Sequence, residues 1–185
     1  MSKLNPGLYT SEDHTWQTPP DLIDTLLHFE RITEFDLDPC CTDKNIPARH
    51  HYQSHISNGL SLPWEGLAFM NPPYGNVLKA WMQKALEESQ KPNCQVWALI
   101  PARTDTIYQH DFGITRAGFT VFMKSRLEFW KDGKPYLVMD KKSGKMKPGT
   151  APFPTMLLYY GMDWKQKAFR WLKEQPIEGT LMFPG

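Results

Sequence analysis

Two consecutive prolines at the end of an apolar run constrain this chain more than any other stretch. Gly66-Leu67-Ala68-Phe69-Met70 reads as the last residues of a buried strand, and Asn71-Pro72-Pro73-Tyr74 follows at once. Each proline removes a backbone donor and fixes φ. The residue before a proline is pushed out of the α region. Asn71 is therefore expected to stand extended at a strand tip, its side chain and the next carbonyls aimed one way. Gly75 comes next, and an amphipathic helix is expected from Val77 to Gln90, with apolar residues at 77, 78, 81, 82, 85 and 86 on one face and Lys84 four residues before Glu88.

The residue types at that tip have a specific chemistry. The Asn71 side-chain oxygen and the Pro72 carbonyl can each accept a hydrogen bond from an exocyclic amino group, and Tyr74 can stack on the ring that carries it. An adenine turned out of a duplex would be gripped in this way, by its Watson–Crick edge and its face. An ordinary strand-to-helix turn uses the same residues, since Asn, Pro and Gly are turn formers.

The flanking segments alternate strand and helix. Thr18 is a candidate N-cap, Pro19 and Pro20 suit a first turn, and apolar residues at 22, 23, 26, 27 and 29 give a helical face. Trp16 and Thr18 thus fall at a helix N-terminus. Phe35-Asp36-Leu37-Asp38-Pro39 alternates apolar and acidic residues, which predicts a strand ended by Pro39 with Asp36 and Asp38 on one side. An acid at the carboxyl end of a central strand meets ligand rather than core. Such a carboxylate can hold the ammonium of an amino-acid-like cofactor, or cap the next turn. No GxGxxG is present, so a dinucleotide site is not supported. Residues 42–65 read as polar, turn-rich and without clear period, with Asn58-Gly59-Leu60 in a loop. Gln95–Ile100 reads as a buried strand, and Arg103, Thr104 and Asp105 at its carboxyl end face the same presumed cleft unless they cap the helix expected from about 105 to 116. Phe119–Met123 is another strand. Arg126–Trp130 and Tyr136–Met139 predict a hairpin around Asp132-Gly133, with 141–148 a mobile basic loop. Phe153–Tyr160 is read as the last strand, followed by a helix capped by Asp163.

Charge and cysteine content narrow the class. Formal net charge is +1, yet eight Lys/Arg stand against three acids between Lys124 and Lys147. Such a local stripe suits a nucleic-acid face or a solvated loop. Cys40, Cys41 and Cys94 do not make a disulfide framework. His50, His51 and His55 with Cys40 and Cys41 match no standard zinc spacing, so no metal is expected. No apolar run approaches a membrane span, and Met1–Pro6 has no signal-peptide character, so the expected compartment is the cytoplasm. The length suits one domain, with no internal repeat.

Taken together, the blocks Trp16–Pro19, Phe35–Cys40, Phe69–Gly75, Leu99–Thr106 and Ala151–Pro154 resemble the phage-type DNA N6-adenine methyltransferases, the Dam-like family of bacteriophages and prophages, some of whose relatives serve restriction-modification. The resemblance implies a single α/β domain over 1–185, a Rossmann-like S-adenosylmethionine-dependent methyltransferase sandwich. Its sheet would be mostly parallel with an antiparallel terminal strand, and residues 1–14 flexible. It implies S-adenosylmethionine as cofactor and double-stranded DNA as partner, with no membrane. In such enzymes Asn71, Pro72, Pro73 and Tyr74 would hold the target amino group. Trp16, Thr18, Asp36, Asp38, Pro39, Cys40 and Asn71 would border the cofactor. Arg103, Thr104, Asp105, Arg126, Lys141, Lys142 and Lys145 are the candidate DNA contacts, the last four within the basic segment 124–150. The chain departs from the pattern in three ways. Pro39-Cys40-Cys41-Thr42 replaces the usual glycine-rich loop, Asn58 stands where family members often carry Asp, and no sizeable recognition domain is inserted. The Asn-Pro-Pro-Tyr chemistry also suits cytosine N4, an RNA adenine or a glutamine side chain, and a catalytically silent DNA-binding module could keep the same fold.

Overall fold

A computed structural model describes residues 17–53, 58–128, 130–151 and 153–184. In chain order the elements are α1 (Pro20–Glu30), β1 (Phe35–Cys41), β2 (Ala48–Gln53), β3 (Gly66–Met70), α2 (Leu78–Ser89), β4 (Cys94–Pro101), α3 (Ile107–Phe112), β5 (Phe119–Met123), β6 (Trp130–Lys131), β7 (Lys134–Pro135), β8 (Leu137–Met139), β9 (Met146–Pro148), β10 (Thr155–Tyr160), α4 (Trp164–Glu174) and β11 (Gly179–Met182). Seven strands form one sheet in the order β11-β5-β10-β4-β3-β1-β2. β1 runs parallel to β2 and β3, and β3 to β4, whereas β10 lies antiparallel between β4 and β5, and β11 antiparallel to β5. Strands β1 to β5 therefore share one direction and only β10 and β11 oppose it, as expected of a mostly parallel α/β sandwich. The nearly continuous apolar run of β4 takes a central place, because both of its faces need cover. α1 and α4 pack on one face around Phe29, Trp97, Phe119 and Trp171; α2 and α3 cover the other around Met82, Ala98 and Met156. Among the described residues no helix is long and apolar enough to cross a membrane.

Several local expectations are corrected. β1 does not stop at Pro39 but continues to Cys41 through a register shift between Asp38 and Cys41, an irregularity that tolerates proline because a ladder bond is already lost there. Residues 48–53, read as turn-rich and without clear period, form edge strand β2, whose mostly half-exposed or exposed side chains give no apolar period. The Asp132-Gly133 turn is present, both residues at positive φ, but it joins only β6 and β7. β8 pairs instead with β9, so the supposed mobile loop 141–148 is half of a second hairpin. The helix expected over 105–116 spans only Ile107–Phe112. β10 is not the last strand, since β11 returns to the edge beside β5. Thr18 is not the N-cap of α1, which is Pro19; Asp163 does stand at the N-cap of α4, but its side chain accepts the Tyr159 hydroxyl at 2.6 Å instead of a helix N–H.

Two buried carboxylates lock helices to the sheet. Trp97, fully buried, donates Nε1–H to Glu30 Oε1 at 2.7 Å, and the other Glu30 oxygen accepts from Lys167 of α4. On the opposite face Glu88 of α2 accepts the Trp64 backbone N–H at 2.8 Å and pairs with Lys84 and Lys91. Burial alone would raise the Glu88 pKa, but these hydrogen bonds outweigh it and hold the carboxyl at about 2. The charged state of Glu88 thus stabilises the fold in full above pH 4.5, and that contribution is lost as pH falls towards about 2. Glu88→Gln is expected to cost about 2 kcal/mol at pH 7 once the part carried by half-exposed Lys91 is discounted. Urea titrations at pH 7 and pH 3 should show the deficit shrinking with acid; equal stability of variant and parent at pH 7 would sink this account.

Candidate active site

The carboxyl ends of β1, β3 and β4 lie side by side, because the three strands are parallel neighbours. Asn71 leaves β3 there, half-buried, with Pro72 buried behind it. Its Nδ2 donates to Thr18 Oγ1 at 3.0 Å, and its Oδ1 accepts the Tyr74 hydroxyl at 2.9 Å. The amide plane is thereby fixed from both sides. An amide oxygen has two lone pairs, so one remains for a substrate donor. Tyr74 does not stand as an open platform: its ring meets Phe153 edge-on at 5.4 Å while the hydroxyl rests on Asn71. Burial raises the Tyr74 pKa, helped by the Cys40 thiol nearby, so the hydroxyl stays a donor.

The end of β1 supplies a second cluster. Asp38 is buried, and one of its oxygens accepts the Cys40 N–H at 3.2 Å. Among the described residues no Lys or Arg pairs with it. Burial raises its pKa to about 6 against the lowering effect of that N–H and of His51. Burial and Asp38 push Cys41 to about 11 and raise Cys40 well above the ordinary thiol range. Neither cysteine is therefore a thiolate nucleophile at neutral pH. The register shift after Asp38 turns Cys41 to the side of Asp38 and His51, and the three present ligand-type atoms within 4.8 Å of one another. His51 Nε2 lies 3.0 Å from the Ile46 carbonyl. This trio includes Asp38, which the cysteine and histidine spacing left out; His50 is exposed, and His55 lies outside the described residues.

Asp36 is not brought to this edge. At the start of β1 it accepts the Leu67 N–H at 2.8 Å and pairs with Arg49 at 3.3 Å. Trp16 lies outside the described residues. Pro39 is buried and clamped by the segment before β3, where Gly59 faces its carbonyl. A Cβ on Gly59 would sit 1.9 Å from that oxygen and 3.0 Å from the Trp81 ring, and the Trp64 indole N–H holds Gly59 in place through its carbonyl at 2.8 Å. Gly59→Ala is expected to cost about 3 kcal/mol, because a backbone carbonyl cannot step aside. An unchanged melting temperature would show that the clamp yields. Nothing in the sequence distinguished this glycine from a loop glycine.

The basic arm between β5 and β10 borders the same edge. Gln17, beside Thr18, exchanges backbone hydrogen bonds with Trp130 at 2.9 and 3.3 Å, and its side-chain oxygen accepts the Gly133 N–H at 2.9 Å. At the other end of the arm the Pro154 carbonyl accepts the Ala102 N–H at 2.9 Å, next to Arg103. The arm is thus pinned on both sides of Asn71. Arg126 reaches the Ala151 carbonyl at 3.1 Å, while Lys141, Lys142 and Lys145 are exposed at the tip of the β8–β9 hairpin. Arg103, Thr104 and Asp105 are exposed too, and the Thr104 carbonyl contacts His110 at 2.9 Å.

The family model described as DNA N-6-adenine-methyltransferase (Dam) matches residues 7–168. The chain belongs to the Dam family. No curated protein and no solved structure matches it. The matched span holds Thr18, the β1 end, Asn71 and the whole basic arm of this Dam family member. Membership points to methylation of adenine N6 in DNA and implies S-adenosylmethionine as donor. The residues present suit that donor on one structural count: a buried carboxylate that no Lys or Arg among the described residues pairs with, Asp38, stands towards a strand's carboxyl end, where the donor's ammonium would relieve it.

Proposed function

We propose that this protein methylates the N6 amino group of adenine in double-stranded DNA, with the base turned out of the helix against Asn71 and Pro72. The observation that carries the reading is the Asn71 amide, held from both sides by Thr18 and Tyr74 with one lone pair left over. S-adenosylmethionine supplies an electrophilic methyl group when bound. Thr18, Asp38, Pro39 and Cys40, together with the Asn71 main chain, are the proposed donor contacts, Asp38 for the ammonium. Trp16 is proposed as a further donor contact. Asp36 acts as a strut between strands and Arg49.

The N6 lone pair of adenine is delocalised into the ring. Hydrogen bonds from N6 to the Asn71 oxygen and the Pro72 carbonyl favour a more tetrahedral nitrogen and localise that pair. Held by Thr18, Asp38, Pro39 and Cys40, the donor would supply its sulfonium methyl to that nitrogen, an N–C bond replacing the S–C bond while one N6 proton would be lost to solvent. The protein contributes alignment and electrostatics. The stacking role proposed for Tyr74 requires its hydroxyl to leave Asn71 as adenine enters, Thr18 alone then keeping the amide oriented. Arg103, Thr104, Asp105, Arg126, Lys141, Lys142 and Lys145 form the proposed DNA face. Its location is proposed to be the bacterial cytoplasm, where phage or host DNA is exposed to it, with selectivity for a particular sequence residing in the arm.

The test is mass spectrometry of nucleosides from unmodified duplex DNA incubated with the protein and S-adenosylmethionine. N6-methyldeoxyadenosine is the expected product. Only N4-methyldeoxycytidine, or product only with RNA or protein acceptors, would overturn the assignment of the target. Loss of donor binding as well would favour the silent module.

A further inference from the structure

The β8–β9 hairpin carries a face that nothing among the described residues covers. Across its ladder Leu137 pairs with Pro148, Met139 with Met146, and Val138 with Lys147. Directly opposed residues share a face, so Leu137, Met139, Met146 and Pro148 lie together and Val138 with Lys147 lie on the other side. The apolar side is the one turned to solvent: Leu137 is 49% exposed, Met139 67% and Met146 56%. On the other side Val138 is half-buried and Lys147 exposed, and a Cβ on Gly149 would meet Tyr136 at 2.8 Å and Val138 at 3.0 Å. The ribbon is well formed. The Asp140 N–H donates to the Lys145 carbonyl at 2.8 Å, the Gly149 N–H to the Tyr136 carbonyl at 2.6 Å, and the Ala151 N–H to the Leu127 carbonyl at 2.7 Å. Exposed Lys141, Lys142 and Lys145 ring the tip, and the only acid there, Asp140, is already engaged by Lys147 and the Lys142 N–H.

Apolar side chains rimmed by cations suit a ligand with flat apolar surfaces and a polyanionic edge, which is the inside of an opened duplex step. Resting on the DNA-methyltransferase reading, we propose that Leu137, Met139 and Met146 form a wedge that enters the base stack beside the target adenine, while Lys141, Lys142 and Lys145 take the flanking phosphates. Unstacking one step costs a few kcal/mol, and an inserted apolar wedge replaces the lost stacking. Methionine adapts its shape to the gap. The arm that carries this wedge is anchored at the edge that carries Asn71, through Gln17 beside Thr18 and through Phe153 against Tyr74.

The test compares the wild-type protein with Leu137→Ser/Met139→Ser/Met146→Ser on two substrates. One is duplex DNA, and the other is the same duplex with the target adenine opposite an abasic site, where the stack is already open. The variant should lose roughly 30-fold or more in methylation of intact duplex and much less on the opened one. Because all three residues are exposed, circular dichroism and donor binding should match wild type. Equal rates on intact duplex would overturn the wedge, as would equal losses on both substrates. A change from dimer to monomer with duplex activity unaltered would make this face a self-association surface and sink the proposal. No methylation of either DNA by the wild-type protein would instead bring down the methyltransferase reading, and the wedge with it.

Discussion

Asn71→Ala should lower the rate of adenine methylation on the order of a thousandfold, with donor affinity kept. On the proposed mechanism the side chain acts only on the amino group and the donor contact at this position comes from the main chain, so the two readouts separate. Alanine also frees the Thr18 and Tyr74 hydroxyls that now hold the amide at 3.0 and 2.9 Å. Both are half-buried or buried and can turn to neighbouring acceptors, so the cost in stability is modest, about 1 kcal/mol. Asn71→Asp is the informative contrast. It keeps an acceptor oxygen for N6, and Thr18 can reverse its hydroxyl to donate to the carboxylate. It should therefore retain far more activity than alanine. Single-turnover rates and calorimetric titration of the donor decide the matter. Full activity in Asn71→Ala, or equal loss in both variants, would remove the amide oxygen from the mechanism.

Asp38→Asn should do the opposite to stability and harm donor binding. The Asp38 carboxyl is raised by burial from 3.8 to about 6, so the folded protein holds a proton there more tightly than the unfolded chain does. The stabilising effect of that proton is fully present below pH 3.8 and is lost as pH rises through about 6. At neutral pH the wild-type protein therefore carries a buried charge at a cost of about 3 kcal/mol, which asparagine removes while its oxygen still accepts the Cys40 N–H. The variant should be more stable by up to that amount at pH 7.5, with no gain at pH 4. Donor affinity should fall at least about tenfold, since the ammonium loses its counter-charge. Glu88 works in the lower window, between about 2 and 4.5, so the decline expected between pH 4.5 and 6 belongs to Asp38. Denaturation midpoints of Asp38→Asn that track wild type from pH 4 to pH 8 would show that the carboxylate is not under strain.

Elements that bury a whole face were legible in the sequence, and those that do not were obscure. β4 and α2 announced themselves because nearly every inward position is apolar. β2 did not, because an edge strand with exposed Arg49 and His50 and half-exposed His51 carries no period, and its pairing partner is decided by the sheet. The hairpin around Asp132-Gly133 was found by its turn, but alternation alone could not say that Leu137–Met139 would leave Trp130–Lys131 for Met146–Pro148. At the site, the Asn-Pro-Pro-Tyr tip fixed where the chemistry would be sought. It could not reveal that Thr18, 53 positions earlier, grips the amide, nor that Tyr74 rests on Asn71. Those contacts depend on which strands become neighbours. Asp36 and Asp38 looked equivalent by alternation, yet five residues of strand separate the start of β1 from its end, and only Asp38 stands near the carboxyl edge.

β5 and β10 are hydrogen-bonded neighbours, with Phe122 opposite Met156, although the entire basic arm intervenes between them. The chain thus leaves the sheet and re-enters it at adjoining points. Lengthening or shortening such an excursion changes the closure entropy only slowly, by about 0.6 kcal/mol for each doubling. Drift in the arm therefore leaves the sheet, and the amide it positions, almost untouched. With the arm as the proposed DNA face, a lineage built on this plan can change the DNA words it reads while keeping one unaltered way of writing on them.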